Sequence, residues 1–374
     1  MENYMRDAMV ALSRRGVHCM AVVHCHWRSW RSLDEVVDAG GSAFHVIRAG
    51  TWFRLMYAPI SPMFPVLLRR FLRRYRPDVL HLHMPNPSAF WALALPSARA
   101  VPWVIHWHAD VVASTHDRRL RWFYRIYRPL EQALLRRARA VVVTSQAYLD
   151  FSEPLRGHRQ KCQVVPLGLD PGRLAPNARH AAIAARRGGE LRVLAIGRLT
   201  YYKGFGFLVE AAARVPGVRV DLVGAGDQYR KLAAQVQRRG VSDRVVLHGA
   251  LPDVELRALL EQCDCVCLPS IERTEAFGMV LLEAMLHGKP VVVGDVPGSG
   301  MGFVVEDGDA GLKVEPANSA ALAAALQRLR DDPAGAEAMG RRGRERFERL
   351  FHIDRSAARL EDIYRQVATA PSEV

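Results

Sequence analysis

Long apolar runs are missing from this 374-residue chain. None approaches the ~18 residues a membrane-crossing helix needs, and no charged, apolar and small-residue leader precedes Arg6. No membrane-crossing helix is expected, and the expected location is the cytoplasm. Cysteine is scarce as well, with six residues: Cys19, Cys25, Cys162, Cys263, Cys265 and Cys267. The last three alternate along one apolar stretch, with no second Cys or His pair at zinc-finger spacing. Buried, reduced thiols are expected, with neither disulfides nor a bound metal. Acidic residues are short in one half only. Residues 1–170 hold 24 Lys+Arg against 12 Asp+Glu, whereas residues 171–374 hold 28 against 26. The surplus of +14 belongs almost entirely to the first half.

What is present is enough apolar sequence, 49% of residues, for two cores, and a length at which single cores stop growing. Apolar runs of strand length alternate with helical stretches throughout. In the first half they are HCMAVVH, DVLHLHM, PWVIHWH and AVVVTS; in the second, LRVLAIG, RVDLVGAG, RVVLHGAL, DCVCLPS and PVVVGD. That alternation predicts an α/β protein with two doubly wound parallel sheets. A Pro, Gly and Ala-rich connector sets the expected domains at residues 1–175 and 186–350, with a final helical segment at 351–374.

The basic surplus gathers in two segments. In LLRRFLRRYR, Leu68, Phe71, Leu72 and Tyr75 form an apolar stripe beside Arg69, Arg70, Arg73, Arg74 and Arg76. In Arg118 to Arg128, Trp122, Phe123, Tyr124, Ile126 and Tyr127 are interleaved with arginines. Basic helices with interfacial aromatics suit peripheral contact with an anionic membrane. A solvated arginine face over core aromatics is the other reading. Nucleic acid is not expected, because no binding motif accompanies the charge.

The most informative stretch is Ser270 to Gly288, SIERTEAFGMVLLEAMLHG. Glu275 falls in a strand-to-helix loop and Glu283 two turns into a short helix ended by Gly288 and Pro290. Both then face the carboxyl edge of a parallel sheet, where open α/β folds place ligands. The amides near Phe277, Gly278 and Met279 form a helix N-terminus suited to phosphate. Carboxylates for hydroxyls beside amides for phosphate suggest a nucleotide sugar. Upstream, GRLTYYKG presents Arg198 and Lys203 directly after a strand, two cations for a diphosphate. Fixed cations there stabilise the charge that develops as a glycosidic bond breaks.

These segments resemble the E-x7-E and G-R-x-x-x-x-K-G motifs of the retaining GT-B glycosyltransferases of the group-1 type (family 4), and the likeness runs over nearly the whole chain. It implies Arg198 and Lys203 on the diphosphate, Glu275 on sugar hydroxyls and Glu283 on the ribose, with Gly278, Met279 and the glycine turn at Gly224 lining the donor. His248 and Gly249 fall where the family contacts the base. In VIHWHADVV, His108 matches the family's sugar-contacting histidine, with His106 supporting it; H-W-H-x-D is similar to the subgroup that builds bacterial polysaccharides on lipid carriers. Zinc binding by these alternating histidines lacks further convincing ligands. His81, His83 and Ser145 are expected to pack or to line an acceptor cleft, and Asp307-Gly308-Asp309 is not expected to bind metal. The implied function is transfer of mannose or a related hexose from a nucleotide sugar to a glycan or polyprenyl-linked acceptor, with no cofactor or metal, at the inner face of the plasma membrane. A non-catalytic GT-B-like scaffold, or an enzyme with a soluble acceptor, is the alternative.

One departure stands out. The family's first domain opens with a strand and a glycine-rich loop, whereas Tyr4, Met5, Ala8, Met9 and Leu12 already mark an amphipathic helix. The first strand is missing from the given sequence, which would leave two unpaired inner sheet edges, and we expect the native start to lie upstream. Mass analysis of the native N-terminal peptide should find residues before Met1; a peptide starting at Met1 would refute this.

Overall fold

The computed structural model describes residues 2–55, 58–111, 118–174 and 189–369. It separates into two compact units, Met1–Pro166 with Ile353–Val374, and Leu167–His352. Leu167 to Leu174, assigned to the first domain on sequence, go with the second unit. The Leu169 amide donates to the Phe351 carbonyl at 3.0 Å, and Leu169 bridges His352 in parallel. The connector from 175 to 188 lies outside the described residues.

The first unit contains strands β1 (Met20–Arg28), β2 (Leu33–Ala39), β3 (Ser42–Thr51), β4 (Phe53–Leu55), β5 (Ala58–Ile60), β6 (Leu80–Met84), β7 (Trp103–Trp107), β8 (Ala140–Val143) and β9 (Cys162–Val164). They form a three-stranded sheet of order β1-β3-β2, a small β4-β5 pair, and a four-stranded parallel sheet of order β6-β7-β8-β9. Strands β7 and β8 are buried at every position, which is why they read as continuous apolar runs rather than alternating ones. Among the described residues, β1 and β6 each have a strand neighbour on one side only. A side-chain contact, His24 Nε2 to Ser88 Oγ at 2.8 Å, is one link between the two parts.

The β2–β3 hairpin was not anticipated. Gly40 and Gly41, at φ +57° and +76°, make the two-residue turn in which both central residues are left-handed. The alternation in LDEVVDA and the Gly-Gly pair carried that signal. The first helix, Glu2–Arg14, packs against the last, Ile353–Thr369, and Arg15 reaches the buried Glu361 at 2.5 Å.

The second unit contains β10 (Leu191–Ile196), β11 (Val218–Val223), β12 (Val245–Gly249), β13 (Cys265–Leu268), β14 (Val291–Gly294) and β15 (Gly311–Val314), all parallel in the order β12-β11-β10-β13-β14-β15. Cys265 and Cys267 are core residues of β13, completely shielded from solvent. The order of strands reverses between β10 and β13, and that reversal opens a crevice at their carboxyl ends.

The two basic segments behave differently from each other. The helix Phe64–Tyr75 buries Phe64, Leu68, Phe71 and Leu72 in the first unit and turns Arg69, Arg70, Arg73 and Arg74 outward, so its apolar stripe is core. On the helix Arg118–Arg137, Tyr127 is buried while Trp122 and Ile126 are 65% and 59% exposed beside Arg125 and Arg128. The side chains of Arg118 to Arg121 lie outside the described residues. Among those described, no helix is long and apolar enough to cross a membrane.

Candidate active site

The loops leaving β10 and β13 meet at the crevice. After β10, the chain runs through Arg198 into a single 3-10 turn, Tyr201–Lys203, closed by Gly204 at φ +68°. A Cβ at Gly204 would overlap the carbonyl oxygen of Pro269, so only glycine lets this turn lie against the loop after β13. The Ile271 amide donates to the Tyr202 carbonyl at 2.8 Å and fixes the two loops together. The outcome is an ion pair: the Lys203 ammonium donates to the Glu275 carboxylate, with the two side chains only 11% and 14% exposed. Lys203 also lies 6.0 Å over the Tyr202 ring, whose hydroxyl is 3.4 Å from the Arg198 guanidinium. Arg198, Lys203 and Glu275, separate in sequence, are thus gathered at one strand reversal.

Glu275 is held from a third side. The Ser299 hydroxyl, in the loop after β14, donates to the Glu275 carbonyl at 2.5 Å, and the Gly300 amide donates to Ala276 at 2.8 Å. Ser299 carries no motif of its own, because the bond that positions Glu275 depends on a contact 24 residues away. Tyr202 was missed as well, although an aromatic between the motif's arginine and lysine was visible.

Gly278, at φ +84°, is the N-cap of the helix Met279–Leu286 and brings no side-chain cap to its first amides. Those amides, starting at Met279, carry the partial positive charge of a helix start. Glu283 lies half-buried on the same helix. At the end of β11, Gly224 has φ +145°, and a Cβ there would overlap the Gly197 carbonyl. The close approach lets the ends of β10 and β11 sit nearly flush: the Gly197 amide donates to Val223 and the Leu199 amide to Ala225, each at 3.0 Å. His248 is held by Asp221 at 2.6 Å.

Two other stretches are taken up in local structure. Ser145 is completely buried as the N-cap of the helix Gln146–Phe151, its oxygen accepting from the Tyr148 amide at 3.1 Å, so of the two roles expected for it the packing one is seen. Asp307 accepts from the Lys313 amide at 2.8 Å and Asp309 pairs with Arg342 at 2.6 Å, so both carboxylates are used in local structure.

In the first unit, His108 follows β7 and is buried. Its amide donates to Met84 at 2.9 Å, and its Nε2 is 2.9 Å from His83 Nδ1. Asp110 anchors the turn that follows, accepting from Trp107 Nε1 at 2.8 Å and the Ser152 hydroxyl at 2.7 Å. Register does the rest: His83 pairs directly with His106 across β6 and β7, which puts His81, His83, His106 and His108 on one face. Adjacent rings stack at 4.2 to 5.4 Å between centroids. Burial, reinforced by the neighbouring histidines, holds His81, His106 and His108 well below the usual histidine range, and burial lowers His83 to about 4. All four rings are neutral at pH 7.

Two family profiles cover most of the chain: "Glycosyltransferase Family 4" over residues 1–173 and "Glycosyl transferases group 1" over residues 178–346. The O-antigen chain mannosyltransferase C of Escherichia coli is 30% identical over 279 residues, 74% of this chain and 72% of the relative. The D-rhamnosyltransferase WbpZ of Pseudomonas aeruginosa is 32% identical over 275 residues, 73% and 70% of the two chains. Among solved structures, Anabaena HepE in complex with UDP-glucose is similar at a TM-score of 0.69 and 25% identity, covering 82% of each chain.

The Gly224 approach gives a direct test. Gly224→Ala should cost more than ~1 kcal/mol and lower the Tm of the second unit by at least ~2–4 °C in scanning calorimetry. An unchanged Tm would show that the β10 and β11 ends do not need this contact.

Proposed function

The chain belongs to the group 1 glycosyltransferases of family 4, and from that premise we propose that it moves mannose or a closely related hexose from a nucleoside diphosphate sugar to a membrane-associated glycan or polyprenyl-linked acceptor, with retention at the anomeric carbon. It is a nucleotide-sugar-dependent enzyme of glycan biosynthesis, which closes the scaffold reading. The observation that carries the finer proposal is the Lys203–Glu275 pair at the strand reversal, with Arg198 beside it.

An ammonium has three donors, so Lys203 can hold the Glu275 carboxylate and a diphosphate oxygen at once. That arrangement fixes sugar and leaving group relative to each other. Glu275, with its carboxylate held by Lys203 and its backbone by Ser299, accepts from sugar hydroxyls. As the bond to the anomeric carbon lengthens, negative charge collects on the departing diphosphate. Arg198, Lys203 and the amides from Met279 onward meet that charge with donors already in place, lowering the barrier without a reorganisation cost. Glu283 takes the ribose, Gly224 keeps the backbone low beside the donor, and His108 is assigned to the sugar by its motif. No residue is named as a nucleophile; departure and attack on one face, assisted by the leaving phosphate, account for retention. Asp307 and Asp309 are engaged elsewhere, and the cations already present do the work a metal would do at the diphosphate.

The E. coli relative's O-antigen chain and the outward arginines of the helix Phe64–Tyr75 support a membrane-side acceptor, with the enzyme peripheral on the cytoplasmic leaflet. Because that helix spends its apolar stripe on the core, its contribution is electrostatic, at ~1 kcal/mol per arginine near an anionic surface. Trp122 and Ile126 supply apolar contact from the second segment.

Lys203→Ala should lower kcat by ~10²–10³ with donor and acceptor saturating, Glu275→Gln should also be severely impaired, and added magnesium or manganese should leave the wild-type rate unchanged. Wild-type turnover in Lys203→Ala would overturn the assignment. Vesicles of phosphatidylglycerol should sediment the wild-type protein at low salt and release it at high salt. Reversing Arg69, Arg70 and Arg73 to Glu should abolish sedimentation; wild-type protein that never sediments would remove the membrane from the proposal.

A further inference from the structure

The four histidines of β6 and β7 ask for more than packing. His81 engages Tyr364 through Nδ1, 2.6 Å from the phenol oxygen, and its Nε2 is buried without a partner. His83 commits Nδ1 to His108, which leaves it Nε2. His106 is completely buried, with neither ring nitrogen partnered. Three imidazoles thus each keep a nitrogen in hand, and ligand atoms of His81, His83 and His106 all lie within 4.8 Å of one another. Buried polar atoms are as a rule hydrogen-bonded, so the buried, unpartnered nitrogens of His81 and His106 call for an explanation.

We propose that His81, His83 and His106 bind a transition-metal ion of the zinc class in the first unit. The donor set decides the class: neutral imidazole suits zinc, copper and nickel, whereas magnesium, calcium and manganese prefer oxygen. An ion at 2.0–2.1 Å from each nitrogen needs the three to draw in to about 3.4 Å apart, and because the rings stack within 12–29° of parallel, they must swing out of the stack to aim their lone pairs at one point, on two strands already hydrogen-bonded in register. Three protein ligands and a water complete a tetrahedral ion. Two of the three rings have the outer contact that ligating histidines usually make, the second nitrogen engaged by a fixed partner. Tyr364 serves His81, and His108 serves His83. Tyr4 closes the cluster from the first helix, its ring edge-on to His106 at 5.6 Å. His81 and His83 keep partial exposure, and that is the route of entry.

Binding would fix one further detail. With the ion on His83 Nε2, the proton of His83 sits on Nδ1 and is donated to His108 Nε2, so His108 carries its own proton on Nδ1. The metal is then a positioning device for the His108 tautomer.

The site can be tested in the full chain after dialysis against a chelator. Zinc titrated in competition with a chromophoric chelator should bind one ion per chain, and cobalt should give the intense visible absorption of a tetrahedral centre. His81→Gln and His106→Gln should each lower zinc affinity at least 100-fold and abolish the cobalt spectrum, with circular dichroism verifying the fold. Tyr364→Phe, which keeps every ligand, should weaken zinc ~10-fold and covers the case in which a ligand variant does not fold. The proposal falls if folded wild-type protein takes up no stoichiometric zinc at 100 micromolar, an experimental concentration of about that order, or if the variants bind it as tightly as wild type.

Discussion

Lys203 and Glu275 face each other where the second unit's sheet reverses its strand order, and much of that unit's surface architecture serves to bring them together. Two opposite charges removed from water cost more than a surface pair, and their attraction repays this only when the geometry is held closely. The holding is distributed. Gly204 lets one loop touch the other, the Tyr202 carbonyl takes the Ile271 amide, and Ser299 grips the Glu275 backbone from the loop beyond. None of these contacts bears charge, and all of them decide where charge sits.

The legible part of this molecule is the part encoded locally. Parallel strands buried on both faces must be apolar runs, so β7, β8, β10, β13 and β14 could be found by composition alone. Arg198 and Lys203 lie five positions apart in one loop, and Glu275 and Glu283 flank one helix start, so their motifs survive as short strings. The β2–β3 hairpin was overlooked because its strands are polar on one face and mixed on the other. Its Gly-Gly turn was a signal that went unused. The short strands β9 and β15 offer three and four residues, too few for periodicity to declare them.

What the sequence hid was register. Of the three H-x-H strings, HCH, HLH and HWH, the last two come together, and each pair alone is an ordinary strand pattern. Only the pairing of His83 with His106 stacks the two pairs into one cluster. The same limit applies to the arginine-rich helix Phe64–Tyr75, whose apolar stripe could have faced lipid or core. Packing, not composition, assigned it to the core. Ser145 was likewise ambiguous until the helix it caps was seen to begin at Gln146.

The first unit is built from the two ends of the chain. Tyr364 supports His81, Glu361 takes Arg15, and the Ser356 hydroxyl donates to the Pro166 carbonyl at 2.7 Å, while the second unit is one uninterrupted stretch from Leu167 to His352. On a ribosome this sets an order of assembly. The segment made first cannot be finished until the last helix emerges, whereas the segment made second has all its residues earlier and can close by itself. The first unit therefore waits, partly covered, through the synthesis of its neighbour, and a nascent chain stopped a few turns short would carry an intact donor half beside an unfinished partner.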